Sequence, residues 1–298
     1  MRWTLWLAFA ALCILSGTSW VVPGGMPNEL PPLELQSLLF GGIGLGALLF
    51  AGRRLWLHIG SSQWIRLAAA AGGFFGVPIV VAEYVRGSVP ATSRSALFAM
   101  VPVVVVLVVA SSDESEGGQH GARQLLVPAL TGLGGLLLLL PVDFSGSVRG
   151  YLMLALVCAV VILAGVASVR LHRLLRGFPL AEAIAIMGLS NAIFLLGWSA
   201  VHEDVVRRWG GLGSILSISS LLDLVEVLLI IWLLREMLPT RFASRYLVIP
   251  LVTILESYAL VRPDWTVRTV FGTLLLAGGA GVLLFGRASE EQTVLSLR

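Results

Sequence analysis

Apolar residues fall along this chain in long runs, separated by short gaps that hold most of the charge. No run shows the strict alternation of a half-buried strand or the single apolar stripe of a surface helix. A helix needs about 20 apolar residues to cross the hydrocarbon core of a bilayer. Ten runs approach that length, over residues 4–22, 33–51, 64–84, 90–110, 123–141, 149–170, 180–201, 213–235, 242–261 and 266–286. The pattern predicts an all-α polytopic membrane protein with ten transmembrane helices. The first run follows Arg2 and passes through "LSGTS", the outline of a signal peptide. Its match to an internal repeat favours a true first span.

That repeat is visible in the landmarks of the chain. A shift of 148 residues brings Gly17 onto Gly165, Pro31 onto Pro179, Glu34 onto Glu182 and Pro102 onto Pro250. A shift of 149 brings Arg86 onto Arg235 and Pro90 onto Pro239. One order at nearly one offset is the signature of a duplicated unit. The two units cover residues 1–145 and 146–288, with a cytoplasmic tail over 289–298, and each holds five spans. Five is odd, so the second unit enters the membrane from the opposite side. The expected architecture is a pair of inverted five-helix repeats, as in many secondary transporters. The loops agree: "PGGMPNELPP" has no Arg, and its counterpart "RLHRLLRG" has three. Pro102 and Pro250 fall inside the fourth span of each unit and are expected to kink helices that line a pathway.

Composition strengthens the membrane reading. The chain is 57% hydrophobic and 12% charged, with a mean hydropathy of +0.92, too apolar for a soluble chain of 298 residues. The formal charge of +3 does not imply a nucleic-acid partner. There is no Lys, and the 20 basic residues are all Arg, scattered through the gaps. With the N-terminus inside, cytoplasmic segments hold thirteen of them, among them Arg53, Arg54, Arg170, Arg173, Arg176, Arg241 and Arg245. The positive-inside rule then puts both termini in the cytoplasm, with the chain in the cytoplasmic (inner) membrane. Cys13 and Cys158 lie in apolar runs and read as small buried thiols. The histidines are far apart, and neither a zinc set nor a Walker A motif can be assembled. No metal or cofactor is expected.

The chemistry therefore rests on polar residues inside the runs. "SSLLDLVEVLLII", residues 219–231, sets Asp223 and Glu226 three apart near the middle of the eighth run. A charged residue at that depth costs about 2.5–3.5 kcal/mol. The two share one helix face and point together, into the bundle or a wet cavity. A carboxylate pair in a poor dielectric is suited to exchanging a proton for a substrate cation. The alternative is structural, with Ser217, Ser219, Ser220 or an Arg from another span as partner. Glu256, six residues after Pro250 and close to Tyr258, and Asn191, in the middle of the seventh run, are further candidates for binding substrate or protons. Asn191 also suits a hydrogen bond between helices. Glu34 and Glu182 sit near span ends, where water can reach them. Glu83 is placed to pair with Arg86 along one helix. Trp20 and Trp198 are the tryptophans placed to face a cavity. Gly42 with Gly46, and Gly72 with Gly76, have the small-residue spacing of close helix contacts.

Several of these stretches have a familiar form. "IPLVTILESYALVRPDWTVRTVFGTLLLAGGAGVLLF" combines Pro250, the loop Arg262-Pro263-Asp264 and a last helix from Gly272 through Gly278. "ALCILSGTSWVVP" opens the chain, and "YVRGSVPATSRSALFAMVPVVVVLVV" lies in the first unit. Together they resemble the drug/metabolite transporter superfamily, in its ten-span EamA-type branch, over nearly the whole chain. The loop Arg262-Pro263-Asp264 stands where that family often has Gly-Glu. The resemblance implies a secondary transporter, often an exporter of amino acids or other small metabolites. Its implied partners are a small-molecule substrate, membrane lipid and protons, with the chain a monomer or a homodimer. Two other classes compete. An integral membrane enzyme acting on a lipid would gather His, Asp or Glu at the interface, whereas the deep carboxylates here have no His neighbour. A transport-inactive sensor or partner subunit of the same fold is the other.

Overall fold

In hydrocarbon a helix satisfies every backbone N–H and C=O within its own segment, and among the described residues each apolar run is largely helical. The computed structural model describes residues 2–18, 31–51, 62–112, 124–140, 142–143, 146–202, 218–261 and 266–286. Among them no strand is present. The elements are α1 (Arg2–Thr18), α2 (Pro32–Ala51), α3 (Ser62–Tyr84), α4 (Ala91–Ser111), α5 (Leu126–Leu139), α6 (Val148–Leu175), α7 (Leu180–His202), α8 (Ile218–Glu236), α9 (Pro239–Leu260) and α10 (Val267–Phe285). Among the described residues, seven helices are long and apolar enough to cross a membrane: α2, α3, α4, α6, α7, α9 and α10. α1 and α5 are shorter apolar helices. α8 has 19 residues but includes Asp223, Glu226 and Arg235. The outer surface is apolar too, with Trp3, Leu49 and Phe50 at 82%, 84% and 87% exposure. Patches of this kind are a liability in water and a requirement in a bilayer. Trp20, Ser217, the side chain of Ser219 and the loop Arg262-Pro263-Asp264 lie outside the described residues.

Glycine fixes the tightest helix pairs, α2 with α7 and α5 with α10. A Cβ added to Gly44 would sit 2.7 Å from the backbone nitrogen of Leu189, and one on Gly279 would sit 2.5 Å from that of Gly132. The expected pair Gly42 and Gly46 makes no such contact; both face open space. The facing residues are Gly41 and Gly44, a different side of the same helix. In α3, Gly76 packs against Asn191 and Phe194, and Gly72 packs against nothing. α1 crosses α9 where Gly17 meets Val252, and α4 crosses α6 where Gly165 meets Val104.

Three helices depart from regular geometry. α3 widens into a π-helical turn over Gly72–Gly76, a feature common at functional sites. α4 breaks at Ala99 and Met100, just before Pro102, and tightens through a bond from Met100 N to the Leu97 carbonyl. Proline there removes the bond that would have continued the ladder. α9 breaks at Ser244, six residues before Pro250, and Pro250 itself lies inside continuous helix. The proline is therefore not the point of rupture. The Ser244 hydroxyl donates to the Arg241 carbonyl at 2.6 Å, a local bond that competes with the helical one.

Burial also revises Glu182. It lies in the first turn of α7 yet is only 2% exposed, so its span-end position does not solvate it. Glu34 is half-buried, with one carboxylate oxygen buried and unpartnered. Glu83 and Arg86 form the expected pair at 3.3 Å.

Candidate functional site

α8 carries Asp223 and Glu226 one turn apart, both half-buried. The facing helix is α1, whose Ser16 hydroxyl donates to Glu226 Oε1 at 2.6 Å. That is the length of a charge-assisted bond. Asp223 lies within electrostatic reach of Glu226. It has no hydrogen bond or ion pair to any other described residue. The next residue of α1, Gly17, faces the other way. Its carbonyl accepts from Thr253 Oγ1 on α9 at 3.1 Å. The last turn of α1 is thus held between α8 and α9, through Ser16 on one side and Gly17 on the other.

One turn back on α1, buried Cys13 lies within electrostatic reach of both Glu226 and Arg245. Arg245 is the residue that the sequence pattern misplaces. It was expected in a cytoplasmic segment, but it is part of α9 and only 6% exposed. Three rings enclose it. Its guanidinium carbon lies 4.3 Å from the ring centre of Phe242, 4.7 Å from Tyr246 and 5.3 Å from Phe74. Its Nη2 donates to the Tyr246 hydroxyl at 2.9 Å, while its Nε is buried with no partner. No carboxylate pairs with it among the described residues. Aromatic faces attract a desolvated cation by about 2 kcal/mol. They leave its in-plane edge clear of carboxylates, and in-plane donors are what bind an anion.

Asn191 and Arg245 flank the same π-helical turn. Asn191 is fully buried on α7, and its Nδ2 donates to the Met187 carbonyl at 2.8 Å. Its Oδ1 has no partner and lies against Gly76, while Phe74 of the same turn covers Arg245. Glu256 stands apart, about 16 Å further along α9 than Arg245 by helix rise. One of its oxygens is buried without a partner. A cavity of about 370 Å³ beside it is lined by Tyr258, Ser257 and Arg268, not by Glu256. Pro250 lines a cavity of about 300 Å³ together with Arg94, Phe98 and Tyr246; Pro102 is buried in packing. Trp198 is half-buried and stacks on His202 with ring centres 4.3 Å apart. Of the predicted residues, then, Asp223 and Glu226 come together, Asn191 joins them indirectly through α3, and Glu256 does not.

No family profile and no curated protein matches this sequence. A solved structure described only as the crystal structure of a protein matches it in fold, with a TM-score of 0.70 and 18% identity over 98% of this chain and 99% of that one. At that identity the likeness speaks to the fold alone.

The site so assembled carries both signs of charge. Among the described residues no group of three His, Cys, Asp or Glu is close enough to hold a metal ion. Sequence reasoning missed Ser16 and Arg245. A signal for Arg245 was present: "RFASRYLV" sets Phe242 three residues before it and Tyr246 directly after, aromatic neighbours that a loop arginine does not need.

Proposed function

We propose that this chain is a secondary transporter, an exporter that carries a small polar metabolite of the amino-acid kind across the cytoplasmic membrane by alternating access. In this reading the helices α1 to α10 all cross the bilayer, both termini are cytoplasmic, and the units 1–145 and 146–288 are inverted repeats of the drug/metabolite transporter type. The observation that carries the proposal is the position of the charges. Asp223, Glu226 and Arg245 lie where α1 of the first unit meets α8 and α9 of the second. Carriers built from inverted repeats bind their substrates at that seam.

Reciprocal packing supports the repeats. The contact of Gly17 with Val252 becomes that of Gly165 with Val104 when each residue is replaced by its counterpart 148 positions away. Phe98 and Tyr246 correspond under the same shift, and they stack on each other with ring centres 6.1 Å apart. Residues on a twofold axis meet in this way. Broken helices α4 and α9 give each unit a place to bend.

A zwitterion suits the charges. Its ammonium group meets Asp223 and Glu226, and its carboxylate meets the in-plane donors of Arg245, which no carboxylate occupies among the described residues. Reconstituted in liposomes, the protein is expected to give saturable flux of one or more members of an amino-acid panel. Glu226→Gln and Asp223→Asn should each lower net flux at least tenfold while the protein stays folded. Folded protein that moves no member of a broad amino-acid and metabolite panel, and turns over lipid instead, would overturn the reading.

A further inference from the structure

A cavity of about 490 Å³ lies away from these charges, between α3 and α6. Its floor is apolar and shallow-sided, set by Ala70 and Gly73 of α3 and Leu163 of α6, while Arg66, Arg170 and Arg173 stand around it. Arg170 and Arg173 are three apart and share a face of α6. Arg66 lies on α3 at the same end of the groove. From Arg66 to Gly73 the floor runs about 10 Å along α3, from the charged end toward the middle of the span. The adjoining surface is apolar and exposed: Ile65 is 62% exposed and Leu163 is 40% exposed.

The three arginines are exposed. None of them has a carboxylate partner among the described residues, in contrast to Arg86 and Arg235, which pair with Glu83 and Glu236. An arginine that only orients a helix needs no cavity. Here three, from two helices, converge on one apolar groove that opens sideways. A soluble anion would use the charges and leave the floor bare. A neutral lipid would use the floor and leave the charges unmatched. We propose that the groove holds one anionic glycerophospholipid, its phosphate among Arg66, Arg170 and Arg173 and an acyl chain along Ala70, Gly73 and Leu163. Juxtamembrane arginines attract anionic headgroups, and basic pockets between spans hold them. Gly73 belongs to the π-helical turn that also carries Phe74, so the lipid braces from outside the turn that covers Arg245 from inside. The inference does not depend on the transport reading.

Native mass spectrometry of the full chain tests it, with micelles carrying equal phosphatidylglycerol and phosphatidylcholine. Wild type should retain one phosphatidylglycerol with a preference of roughly tenfold or more over phosphatidylcholine. The triple variant Arg66→Gln/Arg170→Gln/Arg173→Gln should lose that preference. Arg53→Gln/Arg54→Gln, which removes two arginines assigned to the same side of the membrane, should keep it. Ala69→Trp, at an exposed position on the groove wall, leaves every charge in place and should also abolish retention, so a misfolded triple variant does not leave the question open. Equal retention of both lipids, retention that survives the Ala69→Trp substitution, or release of the lipid by inorganic phosphate would each overturn the proposal.

Discussion

Arg245 differs from Arg86 and Arg235 in having rings where they have carboxylates. Phe242, Tyr246 and Phe74 hold the guanidinium by its faces, and Nε is left buried and unmatched. Lysine would keep the charge and lose the planar stacking and the forked donors. If Arg245 receives a substrate carboxylate, Arg245→Lys and Arg245→Gln should act on acids and spare their amides. A charge-assisted hydrogen bond is worth about 1.5–3 kcal/mol, so KM for the acid should rise roughly tenfold or more. KM for the corresponding amide should change little. Flux measured for an amino acid and its amide across the three proteins decides the matter. An equal loss for both substrates would assign Arg245 to packing alone. The residue shows where sequence reading stops. It lies three positions inside the predicted run 242–261, and the hydropathy pattern treats an arginine at such a margin as loop. Only the positions of the π-helical turn and of the α9 break bring the third ring, Phe74, to it.

At the scale of helices the sequence was far more legible, because the bilayer sets the length of each run. The predicted run 180–201 became α7 (Leu180–His202), and the run 266–286 became α10 (Val267–Phe285). Rotation about the helix axis was not legible. A glycine-rich run such as "FGGIGLGALLF" offers several faces, and the partner α7 selects Gly41 and Gly44 over Gly42 and Gly46. The break at Ser244 was hidden for a related reason. Pro250 carries the louder signal, while the bond from Ser244 to the Arg241 carbonyl is a matter of local geometry. α10 supplies a matched pair of tests. Gly279 faces the α5 backbone at 2.5 Å, and its neighbour Gly278 faces open space. Gly279→Val should force α5 and α10 apart, at about 1–3 kcal/mol or more for overpacking, and lower the unfolding temperature in detergent. Gly278→Val, equally bulky, should leave that temperature nearly unchanged. Equal shifts for the two variants would mean that the close approach does not stabilise the fold.

The whole molecule combines matched landmarks 148 residues apart with one-sided chemistry. Positions 148 residues apart share glycine contacts and a ring stack, but the charges have no counterparts. Phe75, Pro78 and Leu97 stand where the second unit has Asp223, Glu226 and Arg245. In the proposed transport cycle, rocking one unit against the other would expose the same charged wall alternately to each side. The two carboxylates of that wall are not equivalent. Glu226 is tied to Ser16 and positions α8 against α1. Asp223 has only the charge of Glu226 beside it among the described residues. In the proposed cycle proton exchange falls to Asp223: a proton would occupy it when the substrate cation does not, and alternation would carry the two in opposite directions. An acidic outside should then drive export against a substrate gradient. Asp223→Asn should abolish that accumulation but keep exchange of labelled for unlabelled substrate, since exchange needs no net proton movement. Glu226→Gln should weaken both. Proteoliposomes with an imposed pH gradient separate these outcomes, and accumulation by Asp223→Asn that still follows the gradient would remove Asp223 from the coupling.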